Sequence, residues 1–264
     1  MTSPPSAEVL SAFGLRGQPR LLAGGEGVAF RVQDVVLKRT IDAGEAEWTQ
    51  ALLRRVDPKG FRIAEPVPAN DGRWVYDGWS ACRFVADLRP AAPDWTAITD
   101  AGLRFCDAVE CVREGGADVL ARRTHRWAIA DRVAWGEQHV ELSGDAADVV
   151  QQISAFVDAP IQQEHFVHGD LSGNVFLDGT DTPVILDVSP YLRPRHWAAA
   201  IVVADAVLWN GAKLSLVRNF VTNAADRDLF ARALIFRMIA EQLADDPRHG
   251  AFLQPYRDVL TVLD

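Results

Sequence analysis

Asp170, Asn174 and Asp187 are the residues of this sequence whose types and spacing could do chemistry. The first two stand four positions apart in His168-Gly169-Asp170-Leu171-Ser172-Gly173-Asn174, and the third closes the apolar run Val184 to Leu186. A carboxylate can take a proton from a hydroxyl, while an amide oxygen and a second carboxylate can ligate a hard cation such as magnesium. A base and two oxygen ligands held close together are the parts needed to move a phosphoryl group onto a hydroxyl, a reaction governed by positioning and charge. His165 and His168 are three residues apart with no third ligand nearby, so no metal role is assigned to them. His168 is expected to act as a packing and hydrogen-bonding strut. No Gly-x-Ser-x-Gly elbow and no Cys/His nucleophile pair occurs, so hydrolase chemistry is not supported.

For these side chains to meet, the chain must fold back between Asn174 and Asp187. Asn174 to Leu177, the turn Asp178-Gly179-Thr180-Asp181 and Val184 to Leu186 read as a β-hairpin that returns Asp187 to Asn174. This hairpin is expected to be the one clear β interruption in a mainly helical second half. Asp94 can cap a helix carrying Ile98, Leu103, Phe105, Val109 and Val112, and helical patterns run through Asp131 to Gln138 and Ala147 to Phe156.

The first part of the chain has another character. From Leu21 to Arg39, apolar runs broken by Gly24-Gly25-Glu26-Gly27 and by Gln33-Asp34 predict three strands in a meander. Ala43 to Val56 places Trp48, Leu52 and Val56 at helical spacing. Asp77-Gly78, between Arg73 to Tyr76 and Trp79 to Val85, is a strong two-residue hairpin signal, bringing the sheet to about five strands. The fold class is therefore α+β and bilobal. Residues 1–85 form a small antiparallel-sheet lobe, residues 86–264 form a helical lobe, and the two join near Phe84 to Asp87.

His-Gly-Asp with Asn four residues later resembles the kinase-like superfamily, in its aminoglycoside and choline phosphotransferase branch. Protein kinases typically carry Arg where this chain has Gly169. The resemblance runs from about Leu21 to beyond Asp205 and implies a protein-kinase-like fold that uses ATP and Mg2+. It makes Asp170 the catalytic base, Asn174 a magnesium ligand and Asp187 the principal magnesium ligand. Asp187 stands at the first position of a tripeptide, Asp187-Val188-Ser189, that departs from the kinase Asp-Phe-Gly after the aspartate. Such an enzyme also needs a strand lysine on the α/β-phosphates, tethered by a helical glutamate. Lys38 in Val35-Val36-Leu37-Lys38-Arg39 fits. Glu45 is taken as its partner rather than Glu47, because it shares the inward face of Trp48, Leu52 and Val56.

By the same resemblance, Gly24, Gly25 and Gly27 would let backbone N–H groups approach the ATP phosphates, although a plain hairpin turn would read the same way. Phe84, Val85 and Ala86 fall at the adenine-binding hinge, or are simply the strand joining the lobes. Asp205 falls where the branch often has a buried aspartate supporting the catalytic loop. Helix capping or solvent exposure fits its position equally.

Composition bounds the partners. The 264 residues carry a formal charge of −9, which disfavours nucleic acid and anionic lipid surfaces. Cys82, Cys106 and Cys111 are expected as reduced thiols, and the absence of a signal-like or bilayer-length apolar segment points to a cytoplasmic protein. The expected activity is transfer of the ATP γ-phosphoryl group to a hydroxyl of a small molecule such as a sugar, amino sugar, amino alcohol or antibiotic. One alternative is a protein Ser/Thr kinase, disfavoured by Gly169 and by Pro190, Tyr191 and Pro194 where an Ala-Pro-Glu segment would stand. The other is a nucleotide-binding regulatory protein that keeps the fold without turnover. The oligomeric state is not readable from the sequence.

Overall fold

A computed structural model describes residues 3–22, 29–110, 112–158, 164–244 and 250–263. Gly24, Gly25, Gly27 and Cys111 lie outside the described residues. The chain opens with helix α1 (Ala7–Ala12), whose first turn is capped by the Ser6 hydroxyl accepting from the Val9 N–H. Strands β1 (Arg20–Leu21), β2 (Ala29–Val32) and β3 (Val35–Arg39) run antiparallel as the expected meander. Helix α2 (Ala43–Leu53) follows, capped by Asp42, and then β4 (Arg62–Ile63).

Strands β5 (Val75–Tyr76) and β6 (Trp79–Arg83) turn through Asp77 and Gly78, whose φ angles of 46° and 73° are the positive pair that a two-residue hairpin needs. The sheet has five strands in the order β1-β2-β3-β6-β5. Phe30, Val32, Val35, Leu37, Trp79 and Ala81 from this sheet form a core with Val9, Leu10 and Phe13.

Beyond β7 (Arg89–Pro90) come helices α3 (Trp95–Glu110), α4 (Gly116–Ala121), α5 (Arg126–Ala134) and α6 (Gly144–Ser154). Asp94 caps α3 as expected, accepting from the Ala97 N–H. The pattern placed at Asp131 to Gln138 is displaced. The helix begins at Arg126, where the His125 ring accepts from the Ala128 N–H, and has ended before Gly136, which takes a φ of 72°. Histidine is not among the side chains usually read as caps, and that hid the start.

The second half holds more β structure than the expected hairpin. Strands β8 (His165–His168), β9 (Val175–Leu177), β10 (Pro183–Ile185) and β11 (Pro190–Arg193) form two sheets. In one, β8 and β11 run antiparallel with His168 opposite Pro190 and His165 opposite Arg193. In the other the order is β4-β10-β9-β7, so β4 crosses from the N-terminal region to lie parallel to β10. The segment carrying β4 also returns to the first sheet, since the Val67 N–H donates to the Ala81 carbonyl. Four-residue strands with long-range partners carry too little periodicity to be read locally.

The chain closes with α7 (Trp197–Trp209), α8 (Ser215–Phe220), α9 (Ala224–Gln242), a short 3-10 turn and α10 (Gln254–Leu260). Helix α7 is apolar on all sides and buried along nearly its whole length, and α9 is buried at every residue from 228 to 240. These two helices form the centre of the larger core, against which α3 also packs. The α+β class is as expected. No described helix is long and apolar enough to cross a membrane.

Candidate active site

Strand β8 delivers the loop that begins at His168. This ring is fully buried, and burial holds it below its ordinary pKa, so it is neutral. Its Nδ1 accepts from the Asp170 N–H at 3.0 Å, which places the ring proton on Nε2, and Nε2 donates to the Asp187 carbonyl at 2.5 Å. A single imidazole thus joins the backbones of Asp170 and Asp187. The edge of Phe105, from α3, packs against it. His168 is the strut the sequence suggested.

Gly169 is set by its neighbour. A Cβ there would stand 2.3 Å from the ring of Tyr191, which is itself held by Trp197 and Phe236. No side chain fits, least of all arginine. The Gly169 N–H donates to the Ser189 carbonyl, tying the loop to the segment that follows Asp187.

Asn174 sits where the loop enters β9. Its Nδ2 donates to the Asp170 carbonyl at 2.7 Å and to Asp170 Oδ2 at 2.9 Å. The β9–β10 ladder extends one step further, the Leu186 N–H donating to the Asn174 carbonyl, so Asp187 follows directly beside Asn174. On β3, Lys38 reaches across 149 residues of sequence to put its ammonium on Asp187 Oδ2. Lys38, Asp170, Asn174 and Asp187 are therefore brought together, all partly exposed.

Glu45 does not join them. Its carboxylate accepts from Arg123 Nη1 at 3.1 Å and faces His125 Nε2 at 3.0 Å. Arg123 is buried, donates also to the Pro190 carbonyl and lies over the Tyr191 ring. A buried guanidinium requires a carboxylate far more than a half-exposed lysine does, so the expected Lys38–Glu45 tether is corrected to Lys38–Asp187 and Arg123–Glu45. Glu47 is also engaged, accepting from the Trp74 and Val75 N–H groups at the start of β5. Phe84 and Val85 are half-buried and Ala86 is exposed between β6 and β7. The Phe84 N–H is taken by the Asp34 carbonyl, and the Arg31 guanidinium lies 3.6 Å from the centre of its ring.

Two residues complete the site from the helical core. Asp205, inside α7, is 2% exposed. Arg237 on α9 donates to both its oxygens, at 2.7 Å from Nε and 2.6 Å from Nη2. The same Nη2 donates to Asp170 Oδ1 at 2.9 Å. Burial alone would lower the Arg237 pKa, but the two carboxylates raise it, and the group stays charged. Trp127 and Trp209 each lie 5.6 Å from its guanidinium carbon. Sequence reasoning did not name Arg237. The available signal was an arginine set in the apolar run Ala233 to Ala240, where a charge is out of place unless paired.

The donor set fits magnesium. The Asp187 carboxylate already faces a cation, the Lys38 ammonium, and the Asn174 backbone carbonyl accepts from Leu186, the residue just before it. Magnesium is commonly held by one or two protein oxygens together with phosphate oxygens and water. Among the described residues no group of three or more His, Cys, Asp or Glu is placed to hold a metal. Cys82, on β6, is not a nucleophile in waiting, since burial pushes its thiol up to about 12.

No protein-family model matches the sequence, and no curated protein sequence does. Solved structures do match. A thermostable mutant of the aminoglycoside phosphotransferase APH(4)-Ia superposes with a TM-score of 0.60 at 16% identity, over 96% of this chain and 97% of that one. The chain has the fold of the kinase-like small-molecule phosphotransferases. Two further enzymes share this phosphotransferase fold with it. Spectinomycin phosphotransferase APH(9)-Ia, solved with ADP and spectinomycin, gives a TM-score of 0.51 at 12% identity over 97% of this chain and 83% of that one. A choline kinase from Streptococcus pneumoniae gives 0.50 at 9% identity, over 97% and 96%.

Proposed function

We propose that the protein is an ATP-dependent phosphotransferase that moves the γ-phosphoryl group to a hydroxyl of a small molecule. One observation carries the reading: Lys38, Asp170, Asn174 and Asp187 converge where the N-terminal sheet meets the β9–β10 hairpin. In this reading residues 1–85 hold the nucleotide, with Lys38 on the phosphates, and residues 86–264 supply the catalytic loop and the acceptor site. Asp170 orients the acceptor hydroxyl and takes its proton. The acceptor oxygen forms a bond to the γ-phosphorus, the bond from that phosphorus to the β–γ bridging oxygen breaks, and ADP leaves with the electron pair. Asn174 and Asp187 would hold the magnesium ion, which when bound supplies charge neutralisation to the phosphate oxygens.

The acceptor is a small polar molecule bearing a hydroxyl. The Tyr191 ring against Gly169 supports a small-molecule rather than a protein-kinase form of the loop. A net charge of −9 would attract a cationic acceptor, and the spectinomycin and choline enzymes that share the fold are named for acceptors that carry a cationic nitrogen.

The test is ATP consumption with magnesium against a panel of aminoglycosides, amino sugars, neutral sugars, choline, other amino alcohols and generic protein substrates. Turnover with a small molecule is expected. Phosphorylation of proteins alone would overturn the acceptor class. Nucleotide binding with no turnover on any member would favour a regulatory protein.

A further inference from the structure

We infer that Arg237 is a positioning residue for phosphoryl transfer, holding the Asp170 carboxylate in its working orientation; the inference rests on Asp170 being the base. The Arg237 side chain is 2% exposed, whereas that of Asp170 is 47% exposed. A guanidinium in that setting needs one carboxylate to balance its charge, and Asp205, buried and bonded at both oxygens, already provides it. Asp170 could be solvated by water. The bond from Arg237 Nη2 to Asp170 Oδ1 therefore does something that charge balance in the core does not require.

Geometry says what that is. The planar fork is fixed by its two bonds to Asp205, so the second N–H of Nη2 points in a set direction and meets Oδ1. Asn174 holds Oδ2 from the other side. A carboxylate gripped at both oxygens cannot turn about its own axis, and its free lone pairs face one way. The anchor lies on α9, whose residues 228 to 240 are all buried, so the orientation of a half-exposed side chain is referred to the packed core.

Lysine at 237 keeps the charge beside Asp205 but cannot reach both carboxylates with a rigid fork. With the best acceptor of the panel, Arg237→Lys is expected to lower kcat about 10- to 100-fold, the cost of a misplaced reacting group. The KM for Mg-ATP should stay within about twofold, since the lost contact is not made to the nucleotide. Asp170→Asn should leave only a small residual rate, measured in single turnover, and adding Arg237→Lys to it should lower that rate no further, because both act through one carboxylate. A structural role would instead give effects that multiply.

Should Arg237→Lys fail to fold, the pair Arg237→Met with Asp205→Leu replaces the buried ions by apolar groups of similar volume, a change cores often accept. A drop in kcat of about 10-fold or more in that folded variant is expected. Wild-type kcat in either folded variant, or multiplicative effects with Asp170→Asn, would overturn the inference while leaving the base assignment intact. If Asp170→Asn itself kept full turnover, the base assignment would fall and the inference with it.

Discussion

The imidazole of His168 bridges two backbones, accepting from the Asp170 N–H and donating to the Asp187 carbonyl, so the relative placement of the proposed base and the proposed metal ligand depends on one neutral ring. Burial lowers its pKa from the ordinary 6.5. In the unfolded chain the ring gains a proton as pH falls through 6.5, while in the folded chain it resists doing so. The unfolded state therefore binds more protons below that pH, and stability present above it is lost as pH drops toward the folded value, at about 1.4 kcal/mol per pH unit. Melting temperatures measured from pH 7.5 to 5 should fall, and His168→Asn, which cannot titrate, should show a shallower slope. Equal slopes would mean that the ring is charged or exposed.

Asp187 and Asp170 should separate by defect. At about 100 times its dissociation constant, Mg-ATP should add about 2.7 kcal/mol to stability, on the order of 5 to 10 °C in melting temperature. Asp187→Ala is expected to lose that shift, and Asp170→Ala to keep it while losing turnover. A full shift in Asp187→Ala would remove it from the nucleotide site.

Gly169→Ala places a methyl group against a ring that cannot retreat. A loss of about 1 to 3 kcal/mol is expected in chemical denaturation, as for other overpacked sites. Gly169→Ala combined with Tyr191→Leu should recover part of it. If the single variant were as stable as wild type, the packing described for this loop would be wrong.

Glu45→Ala tests the corrected pairing. With Arg123 left buried and short of its carboxylate, about 3 kcal/mol of stability should be lost. The folded variant should still bind Mg-ATP with nearly wild-type affinity, because Lys38 does not depend on Glu45 for its position. Isothermal titration showing a large loss of affinity at unchanged stability would restore the Lys38–Glu45 tether.

What could be read in the sequence was what is local in the chain. Asp170 and Asn174 are four residues apart, Asp187 returns by a short hairpin, and Asp77-Gly78 encodes its own turn through two positive φ angles. What escaped was set by distant partners. Arg237 lies 67 residues beyond Asp170, and nothing near either residue announces the bond. The helical spacing of Glu45 correctly turned it inward, but its partner depended on where Arg123, 78 residues on, would be buried. Strands β8 and β11 are each four residues long and pair only with each other, so neither shows a pattern alone.

The route of β4 bears on how this protein can be recombined. Arg62 and Ile63 pair with Val184 and Ile185, Arg62 also binds Asp178, and the residues just after them bond back to β6. A chimera that exchanged the first 85 residues for those of another protein of this fold would sever this strap as well as the junction near Phe84. The graft would have to bring a strand matched to the edge of β10, or the hairpin that carries Asp187 would be left with an unpaired flank.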